Sequence, residues 1–387
     1  MKRIYLDYAA TTPVDPRVMK AMLPYFTEKF ANPMSLHSFG QEAKLALEES
    51  RKKIADFMGA LPKEIIFTSS ATESNNLALK GIISAYKGKH IIISPIEHPC
   101  VAETGEWLEK QGVLLDRLKV DKYGLIDLED LKNKITKDTV LVSVIHASNE
   151  IGTVQPIEKI GKICKEKGVL FHTDASQSFG KMPFNLKKMD IDLLTASSHK
   201  MYGPKGIALL YVRDGVKIDP ILHGGGQERG LRSSTSNVPS IVGFAKACEI
   251  AKKEMRRDNL RIGKLRDKLI SRILKDIPGS HLNGHPAKRL VNNANVRFDF
   301  IEGESIIVQL DLLGIAASTG SACSSAKLEP SHVLMATGLK HQEAHGSLRI
   351  SLGKWTRESE INYLLKVLPS VVGKLRRISP FKKSFKF

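Results

Sequence analysis

Between about residues 60 and 212 the chain repeats one pattern, and that pattern limits the fold more than any other feature of its 387 residues. Short uninterrupted apolar runs alternate with amphipathic stretches. The runs are Glu64-Ile65-Ile66-Phe67-Thr68, His90 to Ser94, Thr139 to Ile145, Val169 to Thr173, Asp192 to Thr195 and Ile207 to Val212. They are rich in β-branched residues and lack the apolar–polar alternation of a half-exposed strand, as expected of strands buried on both faces. Asn75 to Lys87 and Ile157 to Lys167 read as helices between them. The implied class is α/β with a mainly parallel sheet, and such sheets bind ligands beyond the carboxyl ends of their strands. A long charged helix, roughly Ile241 to Ile277, then leads into strands (Ala294 to Phe298, Leu348 to Ser351) and helices (Glu304 to Leu312, Glu358 to Leu375) that read as a smaller α+β domain. The length exceeds what one core usually organises, so two domains are expected.

The formal net charge is +18. Basic residues are interleaved with acids except in the tail from Lys374 to Phe387, which has no acid and reads as either a solvated tail or a docking tail. No nucleic-acid module is present, so specific nucleic-acid binding is not expected. No apolar stretch is long enough to span a membrane, and Met1 to Asp7 lead into no apolar signal region; a cytoplasmic protein is expected. Cys100, Cys164, Cys248 and Cys323 are far apart and show neither a disulfide nor a metal-ligand spacing, so no metal is expected.

Chemistry-bearing residues cluster just after the apolar runs. Ser197-Ser198-His199-Lys200 places an amine at a strand end, where a desolvated lysine can form a Schiff base. Ser69-Ser70-Ala71-Thr72-Glu73 opens a helix: Ser70 and Glu73 fit a capping box, and the free N–H groups make an anion site suited to phosphate. Plain capping explains the same residues. Asp174, in His172-Thr173-Asp174-Ala175-Ser176-Gln177, is an acid at the end of a buried strand. It calls for a partner such as a protonated pyridine nitrogen, or it caps the next helix. His98 follows a strand and can stack on a ring or move protons; a loop histidine is the simpler account. Asn149 can donate to a substrate or hold a turn. Cys323 lies among small polar residues, Ser318 to Ala326, where a reactive thiol is more at home than a structural one; incidental exposure is the simpler account. Arg349 lies inside an alternating strand, where its head is either solvated or paired, and a planar guanidinium suits a carboxylate clamp. A phosphate cradle, a pyridinium partner, a Schiff-base amine and a carboxylate clamp together point to pyridoxal 5'-phosphate (PLP).

With these motifs the chain resembles the cysteine desulfurase family of the NifS/IscS type, within the class V aminotransferase group. The resemblance runs from Tyr5-Leu6-Asp7-Tyr8-Ala9-Ala10-Thr11-Thr12-Pro13 to Leu375-Arg376-Arg377-Ile378-Ser379-Pro380. It implies a PLP-dependent transferase of fold type I, an α/β protein. Its large domain, 16–258, would hold a mainly parallel seven-stranded sheet, and a smaller α+β domain would comprise 1–15 and 259–387. It implies a homodimer. Residue by residue, Lys200 resembles the Schiff-base lysine, His98 the histidine stacked on the ring, Asp174 the partner of the pyridine nitrogen and Gln177 the donor to the ring hydroxyl oxygen. Thr72, Ser197 and His199 resemble the phosphate ligands, and Thr235 the phosphate ligand given by the other subunit. Asn149 and Arg349 match the groups that hold the substrate carboxylate. Cys323 matches the cysteine that carries the persulfide, with a further role as ligand to a persulfide or [2Fe-2S] centre during transfer. Ser198 and Ser234 stand where the family often has glycine.

The implied reaction converts L-cysteine to L-alanine and passes sulfur through Cys323 to an acceptor protein, such as an iron–sulfur scaffold or a tRNA-thiolation protein. A selenocysteine lyase or a cysteine-sulfinate desulfinase of the same fold would need Cys323 less. A non-catalytic basic scaffold is the reading from a different class, and it gives no reason for Lys200, Asp174 and Arg349 to occur together.

Overall fold

The computed structural model describes residues 3–320 and 330–380. Seven strands form the central sheet: β1 Ile65–Thr68, β2 His90–Ile93, β3 Leu114–Arg117, β4 Thr139–Ser143, β5 Leu170–Asp174, β6 Leu193–Ser197 and β7 Ala208–Val212. Their spatial order is β1-β7-β6-β5-β4-β2-β3. Neighbours pair parallel except at β7, which runs antiparallel to both β1 and β6. Every apolar run of the sequence is a strand of this sheet. β3 has no such run: it is an edge strand bonded only to β2, and Leu114 and Arg117 are exposed, so its pattern carries the imprint of solvent rather than of a core.

The two faces of the sheet are covered separately. Ile66, Ile91, Ile93 and Leu210 pack on one side with Leu77, Ala78 and Ile82 of the helix Ala71–Tyr86. Phe67, Val142, Phe171 and Leu209 pack on the other with residues of the helices Ser38–Met58 and Ile157–Glu166. The alternation along each strand decides which side a residue faces.

A second core gathers around a three-stranded antiparallel sheet, in which Asn293–Phe298 lies between Ser347–Ser351 and Ser280–Leu282. Ile4 and Leu6 belong to this second core, and Ile4–Tyr5 pairs in parallel with Ile315–Ala316. The helix Val238–Asp276 joins the two cores. Its first turns bury Ile241, Phe244 and Cys248 in the first, and its last bury Ile262, Leu265, Leu269 and Ile273 in the second. At 39 residues it spans about 58 Å. Among the described residues, no helix is long and apolar enough to cross a membrane. Part of the basic tail is tied down: Arg376 donates to the carbonyls of Pro278, Gly279 and Asp299, while residues 381–387 lie outside the described residues.

An ion network clasps the two cores. Asp15 caps the helix Pro16–Met22 and accepts from Arg17 at 2.8 Å and from Lys354 at 3.0 Å. Glu254 of the long helix accepts from the same two cations, at 2.8 and 2.5 Å. Hydrogen bonds from Arg17 and Lys354 hold Glu254 down to about 2 and hold Asp15 well below the usual carboxylate range. Because the folded-state values are depressed, this stabilisation is present above the unfolded-state values near pH 4 and is lost as pH falls through the folded ones. Glu254→Gln is therefore expected to cost about 1 kcal/mol in urea denaturation at pH 7. The gap to the native protein should close as the pH is taken below about 4; a gap independent of pH would show that the charge of Glu254 is not the cause.

Candidate active site

One edge of the large sheet collects the chemistry-bearing residues, because the carboxyl ends of the parallel strands and the start of β7 all fall there. A cavity of about 450 Å³ opens at this edge, a volume typical of small-molecule sites. Lys200, His98, Thr72, Asp174, Gln177, Ser197, His199, Asn149 and Arg349 all line it. The second core contributes Arg349, and the N-terminal segment contributes Ala9 and Ala10.

Lys200 ends a short 3₁₀ turn, Ser198–Lys200, that comes directly after β6. Its Nζ donates to the carbonyl oxygens of Ala9 and Ala10 at 2.7 and 2.8 Å. Gln177 Nε2 donates to the same Ala9 oxygen at 2.9 Å. His199 Nδ1 lies 3.0 Å from the Thr11 hydroxyl, and burial, with Lys200, Lys205 and Lys181 behind it, lowers its pKa to about 4. The ring is neutral at pH 7.

Asp174 ends β5 and is 4% exposed. Its Oδ2 accepts from Asn75 Nδ2 at 2.8 Å and its Oδ1 from the Ser176 backbone N–H at 2.8 Å. These donors are neutral, and Asp174 has no ion pair among the described residues. The second bond closes a turn, since no helix starts directly after Asp174 for it to cap. His98 caps the helix Pro99–Lys110: its Nδ1 accepts from the Cys100 backbone N–H at 3.2 Å. Burial lowers the His98 pKa; Asp174 opposes the shift and Lys200 and His332 add to it.

The phosphate-cradle motif keeps its cap but not the full box. The helix begins at Ala71, four residues ahead of the Asn75 start expected, because its polar first turn hides the apolar period. The Ser70 hydroxyl accepts from Glu73 N–H at 3.1 Å. The Glu73 carboxylate turns instead to the Ser69 N–H and to Arg232, at 2.8 and 2.7 Å. Ala71 and Thr72 sit in the first turn, where N–H groups have no intrahelical acceptor.

Arg349 is 2% exposed. Its Nη2 donates to Asp7 at 2.7 Å, and its Nη1 donates to the carbonyls of Asn149 and Gly320 at 3.1 and 3.2 Å. Among the described residues, its Nε is buried with no hydrogen-bond partner.

These residues fit PLP. An uncompensated buried carboxylate suits a protonated ring nitrogen, a helix start beside a neutral histidine suits a phosphate, and an orphaned guanidinium N–H suits a substrate carboxylate. Thr235 does not join them. It borders an adjoining pocket with Phe67, Thr68 and Arg232, as it would if it served another subunit. Cys323 lies outside the described residues. The neighbouring Ser234 has φ +145°, in the region that favours glycine, whereas Ser198 is accommodated because its hydroxyl occupies space that Gly203 leaves free.

Sequence reasoning missed several residues. Asn75 is a polar residue on the buried stripe it shares with Ala78, Leu79 and Ile82, and that conflict of polarity and position was its signal. Asp7, Thr11 and the Ala9 and Ala10 carbonyls act only through long-range contact and carry no local signal. Lys181 donates to the carbonyls of Gln177 and Lys200 at 2.8 and 3.1 Å, and desolvation lowers its pKa to about 7.

The aminotransferase class-V family matches residues 4–364. A protein of Archaeoglobus fulgidus named cysteine desulfurase IscS 1 is 54% identical over 97% of this chain and 98% of its own length. A cysteine desulfurase IscS of Methanosarcina thermophila is also 54% identical, over 98% of this chain and 94% of its own. Among solved structures, a NifS-like protein superposes with a TM-score of 0.91 at 42% identity, covering 97% of this chain and all of that one. SspA in complex with cysteine superposes with a TM-score of 0.80 at 39% identity, covering 92% of this chain and all of SspA. The chain belongs to the class-V aminotransferase family.

The strained serine gives a test of the local geometry. Ser234→Gly should stabilise the protein by about 1 kcal/mol in chemical denaturation, whereas Ser234→Ala should not. Equal effects of the two would show that the backbone at Ser234 is unstrained.

Proposed function

We propose that the protein is a PLP-dependent cysteine desulfurase that converts L-cysteine to L-alanine and takes the sulfur as a persulfide on Cys323. The observation that carries this reading is one cavity lined by the Lys200 amine, the buried Asp174 carboxylate and Arg349 with an unused N–H. The family membership and the cysteine bound in SspA support it.

When bound, PLP supplies an electron sink for the Cα–H bond of an amino acid attached to it. Lys200 is the anchoring amine and the base that takes the Cα proton. With the cofactor in place, Asp174 would hold a proton on the ring nitrogen and Gln177 would donate to the ring hydroxyl oxygen. Thr72, Ser197, His199 and the first turn of the helix Ala71–Tyr86 hold the phosphate. Arg349 and Asn149 hold the substrate carboxylate, and the Arg349 Nε is the donor free for it. His98 faces the incoming thiol or amine and orients it through its ring. The Cys323 thiolate attacks the substrate sulfur; an S–S bond forms and the C–S bond breaks. L-cysteine and one thiol become L-alanine and one persulfide, so no external oxidant or reductant is required.

The sulfur then passes to an acceptor protein such as an iron–sulfur scaffold, in the cytoplasm. The catalytic unit is divided into a large part, 16–258, and a small part, 1–15 with 259–387. It acts as a homodimer in which the partner copy brings Thr235 to the phosphate. Leu23, Phe26, Phe30, Met34, Leu36 and Phe39 support this assembly: one stretch of chain exposes all six, with Leu36 94% exposed, and a second copy is the occupant that would cover them.

Alanine formed from L-cysteine tests the chemistry. Lys200→Ala should lower turnover by about a thousandfold or more. Cys323→Ala should retain the bound cofactor's absorbance but form no persulfide and little alanine. Equal alanine from native protein and Cys323→Ala would remove Cys323 as sulfur acceptor, and none from the native protein would sink the desulfurase reading. Light scattering tests the assembly. The native protein should run as a dimer and Leu36→Glu should shift it toward monomer with weaker PLP binding; a monomeric native protein would exclude Thr235 from the phosphate site.

A further inference from the structure

Cys100 lies on the wall of the same cavity, and its contacts run in one direction. Asn75 Nδ2 donates to Asp174 Oδ2 at 2.8 Å and to Cys100 Sγ at 3.1 Å. The carboxylate only accepts, so the atom facing it is the amide nitrogen, and the orientation of Asn75 is fixed by chemistry. The sulfur, which also faces the Thr72 hydroxyl, receives the hydrogen from Asn75 and is left with its own S–H to give. His98 Nδ1 lies 3.0 Å from that sulfur and already accepts from the Cys100 backbone N–H. Two donors of one residue therefore converge on Nδ1, and Nε2, which has no partner among the described residues, carries the proton of the neutral ring.

We propose that Cys100 is a positioning residue that, braced by Asn75 against Asp174, holds His98 neutral in the Nε2–H tautomer. Protonating Nδ1 would set its new N–H against both the S–H and the backbone N–H of Cys100, so the cation is disfavoured. The charged and titratable groups facing His98 are Asp174 from the end of β5, Lys200 from the turn after β6 and His332 from the helix His332–Ala336, with Cys100 on its own helix. Lys200 and His332 oppose the imidazolium and Asp174 favours it, in agreement with the depressed His98 value. Burial pushes the Cys100 thiol up to about 12, so it stays S–H, a donor rather than a nucleophile, near neutral pH.

The role assigned to His98 rests on the desulfurase reading, but its tautomer can be measured without turnover. Two-bond ¹H–¹⁵N spectra of the ¹⁵N-histidine-labelled holoenzyme report the protonated nitrogen and the ionisation of His98, assigned with a His98→Gln control. Cys100→Val keeps the volume and removes the S–H; Cys100→Ser keeps a hydroxyl donor. In Cys100→Val a fraction of Nδ1–H tautomer should appear and the His98 ionisation should rise by about half a pH unit, the scale of one weak hydrogen bond. Cys100→Ser should resemble the native protein in both. An unchanged tautomer and ionisation in Cys100→Val would overturn the proposal, as would a Cys100→Ser variant that behaves like Cys100→Val, since packing would then be the cause. Loss of alanine formation in the native protein, with the Nε2–H tautomer intact, would instead count against the desulfurase reading alone.

Discussion

The site depends above all on the short N-terminal segment from Asp7 to Thr12. It packs with the second core through Leu6, yet its polar groups are used at the edge of the large sheet. Ala9 offers one carbonyl to both Lys200 and Gln177, and Ala10 offers another to Lys200. Thr12 gives its backbone N–H and its hydroxyl to the His199 carbonyl, while the Thr11 hydroxyl meets the His199 ring. Asp7 pairs with Arg349, and the Ala9 N–H donates to the Ser351 hydroxyl. An amine and a guanidinium from separate parts of the chain are thereby held over one cavity. Without this segment, Lys200 would lose both of these carbonyls and Arg349 its carboxylate, in a buried place where charge is costly to leave uncompensated.

The same geometry explains what was legible in the sequence. Strands buried on both faces write continuous apolar runs, so β1, β2, β4, β5, β6 and β7 could be read directly. Their carboxyl ends are where Lys200, Asp174, His98 and Asn149 had to gather. β3 was silent because one neighbour and an exposed face leave no apolar run. The contacts of Asp7 and Thr11 were silent for a different reason: each joins residues more than 180 positions apart, and one chain read in order carries no trace of such a pairing. Thr235 lay between these cases, since its motif was readable while its place beside an adjoining pocket was not.

Electrostatics divides the cavity into charged and neutral groups. Among the described residues, Asp174 accepts only from neutral donors and Arg349 keeps one N–H without a partner, so two groups of opposite sign stand ready for ligands of complementary charge. Around them burial keeps His98, His199 and Cys100 uncharged. Neutral imidazoles can donate from one nitrogen while the other is tied to the protein, as His98 does through Cys100. A cationic ring at His98 or His199 would compete with Lys200 and add to the positive charge already present.

The surroundings of Cys100 suit a different task from the one proposed for Cys323. Cys100 is enclosed by Asn75, Thr72 and His98 and lies near Asp174, a negative charge that adds to the cost of ionising a buried thiol. A thiol in that setting is a poor nucleophile, because the thiolate is the reactive form. In the sequence Cys323 stands instead beside Ser321, Ala322, Ser324 and Ser325, small residues that suit the reactive thiol proposed there. A cysteine that must accept sulfur and then give it to another protein needs that second kind of surrounding. A cysteine that must keep a histidine in one tautomer needs the first.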